Sequence, residues 1–460
     1  MEKLISGKED FLGASPESQI QQLRKFVTAN FRRLTTHQRD NGLITASLGR
    51  YDDHHFRDML WIKDAVRASK WALDPIVQSQ LPELFDPEQV KAGQFSKTGT
   101  DFYLSTMRGL FRLQTSPQQW ERFNNKPSVE PDEHGYFSID DRDAPAIKFH
   151  LSGNIQTDWG HNQPDNWGTL LLEVGKGIEA GLPLLEKAHP DDIPPALVID
   201  HITKYLVNLK TERLNCRSLW EHDKGWSSYS TRRIVQAGLE QIARVQNVIQ
   251  DSILYYEEKP ETHSGELEEA IGRLKNSALE YFPADYTDSS KHLSKGDLAS
   301  LVVLNDISDL SSYEIRGIIR NTRALMTPNG YIRYEGDPWQ NENELGEASW
   351  TMGLLIDAKF ASQQAERLFL KGRPKAQPYL EFGLDRIGTF MAFFSRFGWS
   401  PELFKIKYDE TTGKIIPVPN NNHLAWPDGY GIEAAPYCMS AIKAEKTYSV
   451  KTSTSAVLVS

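Results

Sequence analysis

Apolar side chains recur at helical spacing along almost the whole of this 460-residue chain, and that periodicity is its strongest constraint. Leu170, Leu171, Val174 and Ile178 share one helical face. Ile234, Val235, Leu239, Ile242 and Val245 share another, as do Leu354, Leu355, Ala358 and Ala361. About twelve such segments are expected, at 16–33, 57–74, 79–92, 98–113, 164–181, 193–210, 228–249, 264–281, 295–307, 312–326, 344–372 and 376–396, with another near 431–446. Alternating strand patterns occur only briefly, at 144–150, 330–334 and 413–418. No fixed repeat period appears, which argues against a solenoid, and no linker divides the chain. The reading is an all-α single domain over 1–446, with 447–460 as a flexible Ser/Thr/Val-rich tail.

Charge narrows the partners. Lys plus Arg number 52 and Asp plus Glu 62, giving a formal charge of −10. Such a surface repels phosphate backbones and anionic lipids, so neither nucleic acid nor membrane is expected as a partner. The first twenty residues lack a signal-peptide core, and no apolar run is long enough to span a bilayer. Two cysteines, Cys216 and Cys438, make no disulfide framework; the expected compartment is the reducing cytoplasm.

Long polar connections at 114–162, 211–227, 327–343 and 397–430 interrupt the helices, and ordered loops of that length usually carry function. Four loop-to-helix junctions concentrate Trp, carboxylate, amide and basic side chains. They hold Trp61, Lys63 and Asp64; Trp159, His161, Gln163 and Asp165; Trp220 and Glu221; and Arg333, Glu344 and Glu347. A weaker fifth holds Trp426 and Glu433. Short polar groups pair with sugar hydroxyls and aromatic faces pack on the C–H faces of the ring, so this mixture suits carbohydrate. Glycosidic cleavage then needs one protonated and one ionised carboxyl, and a carboxyl beside Trp, as Glu221 is beside Trp220, suits the protonated role.

Each feature has a plainer reading on its own. Asp165, Ser227 and Ser228 precede or begin helices and read as caps. Trp61, Trp159 and Trp350 read as core. His54 and His55 lack metal-ligand spacing, and GYGIEA at 429–434 lacks the third glycine of a dinucleotide loop. Neither metal nor cofactor is expected.

Order and wording together carry a resemblance. MLWIKDAVRA, DWGHNQPDNWGTLLLEVGKGI, SLWEHDKGWSSYSTRRIVQAGLEQI and YIRYEGDPWQNENELGEASWTMGLLIDAKF resemble, in that order, segments of the glucoamylase-like glycoside hydrolases (family 15), which include the glucoamylase-like domain of phosphorylase kinase regulatory subunits. The resemblance runs from about residue 40 to 445. It implies an (α/α)6 barrel, a six-hairpin toroid, and an inverting exo-acting hydrolase that releases glucose from an α-glucan or small α-glucoside. By motif position it implies Glu221 as general acid, with Trp61, Lys63, Asp64, Gln163, Asp165, Trp220, Arg333 and Glu344 around the sugar. Glu433 is the preferred general base and Glu344 the fallback. Lys63 stands where the family has arginine, which removes the planar fork needed for bidentate contacts. The alternatives are an inactive carbohydrate-binding or regulatory module, and a helical-barrel glycosyltransferase or phosphorylase.

Overall fold

The computed structural model describes residues 7–46, 58–217 except 129, 134 and 158, then 225–226, 228–282, 297–335, 337, 346–397, 401–420 except 410 and 413, and 425–457. Among the described residues, twelve helices of eight or more residues build two concentric rings. The outer ring comprises α1 (Pro16–His37), α3 (Gly99–Gln114), α5 (Pro195–Asn208), α7 (Ser264–Tyr281), α9 (Ser312–Arg323) and α11 (Gln377–Phe397). The inner ring comprises α2 (Ile62–Ser69), α4 (Pro164–Glu179), α6 (Tyr229–Tyr255), α8 (Ala299–Asp306), α10 (Met352–Leu370) and α12 (Ala425–Val457). Each inner helix packs on the next, α12 closes on α2, and outer and inner helices alternate along the chain. This is the (α/α)6 barrel.

Local chemistry sets the helix starts. Ser15, Thr98, Ser228 and Ser311 cap α1, α3, α6 and α9 by accepting from backbone N–H groups three residues on; Ser311 and Glu314 complete a reciprocal capping box. The single helix expected over 79–92 is instead three short pieces, Pro75–Gln80, Pro82–Phe85 and Pro87–Lys91. A proline opens each, and a proline cannot continue the turn before it. The last helix runs from Ala425 to Val457, beyond both expected limits and through part of the expected tail. Pro436 lies inside it and removes one donor from its ladder.

The inner helices approach closely where side chains are absent. A Cβ added to Gly238 of α6 would lie 2.4 Å from the Gly168 carbonyl oxygen of α4, and one added to Gly429 of α12 would lie 2.7 Å from Ala68 Cα of α2. Trp71, Trp167, Tyr103 and the Phe26, Phe31 and Phe102 rings fill the space between the two rings.

Small sheets tie the loops together at one end. The strands are β1 (Met59–Trp61), β2 (Phe137–Ser138), β3 (Lys148–His150), β4 (Leu214–Cys216), β5 (Gly225–Trp226), β6 (Met326–Thr327), β7 (Gly330–Tyr331), β8 (Ser349–Trp350), β9 (Leu403–Asp409) and β10 (Lys414–Pro419). β1 pairs antiparallel with β3; β2, β4 and β5 form a second sheet; the third runs β10-β9-β8-β7-β6. β9, the longest with β10, lies in a stretch that carried no strand expectation.

Candidate functional site

All six inner helices point their N-terminal ends toward these sheets, so their first turns gather the side chains that the loops deliver. Lys63 is the second residue of α2 and Asp165 the second of α4. Lys63 Nζ donates to Gln163 Oε1 at 3.0 Å and lies 3.8 Å from Asp165 Oδ2. The Lys63 backbone N–H donates to Asn166 Oδ1 at 3.1 Å, and Asn166 Nδ2 donates to Gln163 Oε1 at 3.3 Å. Gln163 in turn donates from Nε2 to the Gly160 carbonyl. Its amide oxygen thus accepts two hydrogen bonds and one of its two N–H groups is engaged, which fixes the side chain against Lys63.

Asp165 is fully buried, and neither carboxylate oxygen has a hydrogen-bond partner among the described residues. It is not the cap of α4: Gln163 holds that position and caps with no side-chain bond. A buried carboxylate left without donors costs free energy unless something is bound to it, which marks a group kept for another purpose than the helix start. Ser228, by contrast, is a cap. Asp64 is half-buried in the first turn of α2.

Aromatic rings wall this end. Trp61 and Trp159 meet edge to face with centroids 5.4 Å apart. Lys148 lies over both rings, 5.1 and 4.6 Å from their centroids, delivered by the pairing of Trp61 with Lys148 across β1 and β3. On the other side Arg333 grips Asp337 through two bonds, Nε to Oδ2 at 2.7 Å and Nη2 to Oδ1 at 2.6 Å. Its guanidinium lies 5.0 Å from the centre of the Trp350 ring. Arg333 is only 3% exposed, so it acts as a rigid strut as well as a charge. Trp426, in the first turn of α12, is buried and its indole N–H has no acceptor among the described residues.

His161 is locked as the neutral imidazole. Nδ1 accepts from the Ile147 N–H at 3.4 Å, so Nε2 carries the proton and donates to the Gln156 carbonyl at 2.7 Å. Burial pushes its pKa down from 6.5 to about 4.

Three expected residues, Trp220, Glu221 and Glu344, lie outside the described residues. The flanks of the loop with Trp220 and Glu221 are described. Arg217 donates its backbone N–H to the Asn162 carbonyl, next to Gln163, and pairs with Asp141; Ser228 caps α6.

Glu433 is not gathered with the others. It lies eight residues along α12 from Ala425, about 12 Å down the axis. It accepts from Lys359 Nζ at 2.6 Å and Asn305 Nδ2 at 3.3 Å, and Lys70 Nζ is 3.5 Å away. Burial works to raise its pKa, but the two ammonium groups outweigh it and hold the carboxylate ionised below the usual range. The resemblance chose Glu433 by motif order, which carries no information on depth along the barrel.

A carboxylate that the sequence reading passed over does sit at the loop end. Glu402 directly precedes β9 and is half-buried. Its carbonyl accepts from the Thr351 N–H at 3.0 Å, which sets it beside the start of α10. Asn420 Nδ2 donates to Glu402 Oε2 at 2.9 Å while Asn420 Oδ1 accepts from the Leu403 N–H, so one amide orients the side chain. A lone Glu in a long loop gave no signal; the strand pairing of β8 with β9 supplies it.

No family model matches the chain, and no curated protein matches it. Solved structures do. A glucoamylase from Saccharomycopsis fibuligera is similar at a TM-score of 0.61 and 12% identity, over 94% of this chain and 96% of that one. A structure described as a glycosidase is similar at 0.58 and 14%, over 93% and 99%. A variant of a glycosidase in complex with glucose is similar at 0.57 and 14%. Over nearly its whole length, then, the chain has the (α/α)6-barrel fold of the glucoamylase-like glycosidases.

Proposed function

We propose that this chain is an inverting, exo-acting glycoside hydrolase that releases glucose from α-linked glucosides. The observation that carries the reading is the buried Asp165 carboxylate, short of hydrogen-bond donors and paired with Lys63, at the barrel end that also carries Asp64 and the Trp61–Trp159 corner. Sugar hydroxyls would supply the donors that Asp165 lacks, and the rings would take the apolar face.

In this reading Glu221 is the general acid and Trp220 a sugar-binding residue; the described segments on either side of them are anchored at Asn162 and at the cap of α6. The second carboxylate, which activates water, is Glu402 rather than Glu433; Glu344 keeps its place as a sugar-binding residue or alternative base. Two features support Glu402: its position beside the start of α10 and its partial exposure, with the Asn420 amide orienting its side chain. Glu433 is occupied by two lysines and lies about two turns below the helix start. Lys63, engaged with Gln163 and Asp165, contributes charge and a single donor rather than a bidentate grip. The substrate would be an α-glucan or a small α-glucoside, in the cytoplasm.

Glucose release from maltose, isomaltose, trehalose and maltodextrins tests the activity, and NMR of the first product tests the stereochemistry. Inversion requires β-glucose from an α-linkage. Retention, or no release from any of these substrates, overturns the reading.

A further inference from the structure

Away from the loop end, a cavity of about 480 Å³ lies between the ends of α2, α4 and α8 and the middle stretches of α10 and α12. It is separate from the loop-end cluster: Lys176, on its wall, lies eleven residues beyond Asp165 along α4, about 16 Å away. Five inner-helix segments line it, contributing Lys70 just after α2, Glu173 and Lys176 from α4, Asp306 from α8, Lys359 from α10 and Glu433 from α12. We propose that this cavity is a second binding site, for an uncharged polyhydroxylated ring of hexose size.

The charges decide the class of ligand. Lys70 lies against Asp306, Lys359 against Glu433 at 2.6 Å and Lys176 against Glu173 at 2.7 Å. Asp74 accepts from the Tyr437 hydroxyl at 2.8 Å. One cation, Arg367 at the exposed rim, has no carboxylate partner among the described residues. An anion would meet four carboxylates and only one uncommitted cation; a cation would meet carboxylates already engaged. A hydroxyl both donates and accepts, so it can bridge neighbouring carboxylate and ammonium groups without changing the charge balance.

Asp306 is a fixed part of the wall: its Oδ1 accepts from Lys70 Nζ, and its Oδ2, closed off from the cavity, faces Arg67 Nε at 3.7 Å. The remaining wall is mixed: Asn305, Ser308, Gln363 and Gln364 offer uncharged polar groups for hydroxyls, and Leu310, Ile356, Phe360 and Tyr437 offer apolar surface for the C–H face of a sugar or cyclitol. The volume falls in the roughly 300–1,000 Å³ range of small-molecule sites.

Hydrogen exchange on the full chain tests the site, with glucose as probe and glucose 6-phosphate as anionic control. At glucose tenfold above its dissociation constant, amides of 303–310 and 359–367 should exchange about tenfold more slowly. Gln363→Trp, on the rim, should abolish that protection and leave glucose release from maltose unchanged. Unaltered exchange in these segments of the wild-type chain at saturating glucose overturns the proposal. So does protection by glucose 6-phosphate alone, or protection that survives a folded Gln363→Trp chain. The exchange readout at this cavity stands whether or not the chain hydrolyses any glucoside, so the two ideas fail separately.

Discussion

Lys63 Nζ stands 3.8 Å from Asp165 Oδ2, the only ion pair that the buried Asp165 carboxylate makes among the described residues. The pair joins the first turns of two neighbouring inner helices, α2 and α4. Removing the ammonium leaves a buried carboxylate with neither hydrogen bond nor ion-pair partner among the described residues. Lys63→Met should therefore destabilise the fold by about 3 kcal/mol, measured by denaturant unfolding. Adding Asp165→Asn should recover part of that loss. A single variant as stable as wild type would show that the carboxylate is already screened by other means.

His161 gives an acid-side signature. Its folded pKa lies at about 4 against an ordinary 6.5, so the unfolded chain binds the extra proton first as pH falls. The stability that the neutral ring contributes is complete above pH 6.5 and is lost as pH drops toward 4. That loss is about 3 kcal/mol. Stability measured against pH should fall in this window, and His161→Gln should flatten the fall. An unchanged slope in the variant would assign it elsewhere.

Asp357 acts in the opposite sense. Burial pushes its carboxyl up to about 7, against the opposing pull of Arg386 and Arg323, and the Tyr331 hydroxyl donates to it. A raised folded pKa means that its contribution is full below pH 4 and disappears as pH climbs through 7. Asp357→Asn should stabilise the protein above pH 7 and leave it little changed near pH 4. Thermal unfolding at the two pH values checks this.

Depth along the barrel separates the two late carboxylates. Glu433→Gln would leave Lys70 and Lys359 short of their shared partner, so it should lower stability by about 3 kcal/mol with little direct effect on turnover. Glu402→Gln, at the half-buried loop end, should cut glucose release by about 10²–10⁴-fold and affect stability less than Glu433→Gln does. The reverse pattern would return the water-activating role to Glu433.

The helical period made the all-α class legible because each inner helix carries a broad apolar face and most helix starts are announced by Ser, Thr or Pro; the six-hairpin barrel was legible only through the family resemblance. Leu170, Leu171, Val174 and Ile178 are all buried on α4 as their spacing requires. Site residues at helix starts, such as Lys63 and Asp165, were legible because two positions from a helix start leave little freedom in depth. Glu433 was not, since motif order carries no information on how far down the barrel a residue lies. Lys148 and Glu402 were also hidden, because antiparallel pairing across β1–β3 and β8–β9 brings them to the site, and pairing partners are remote in sequence.

Glucose release from maltose by Glu221→Gln is the most direct measurement of the central claim. The variant should unfold at the wild-type temperature and lose activity by about 10²–10⁴-fold, as removal of a general acid requires. A well-folded variant that turns over at the wild-type rate would contradict the account, since no protonated Glu221 would then be serving the leaving oxygen.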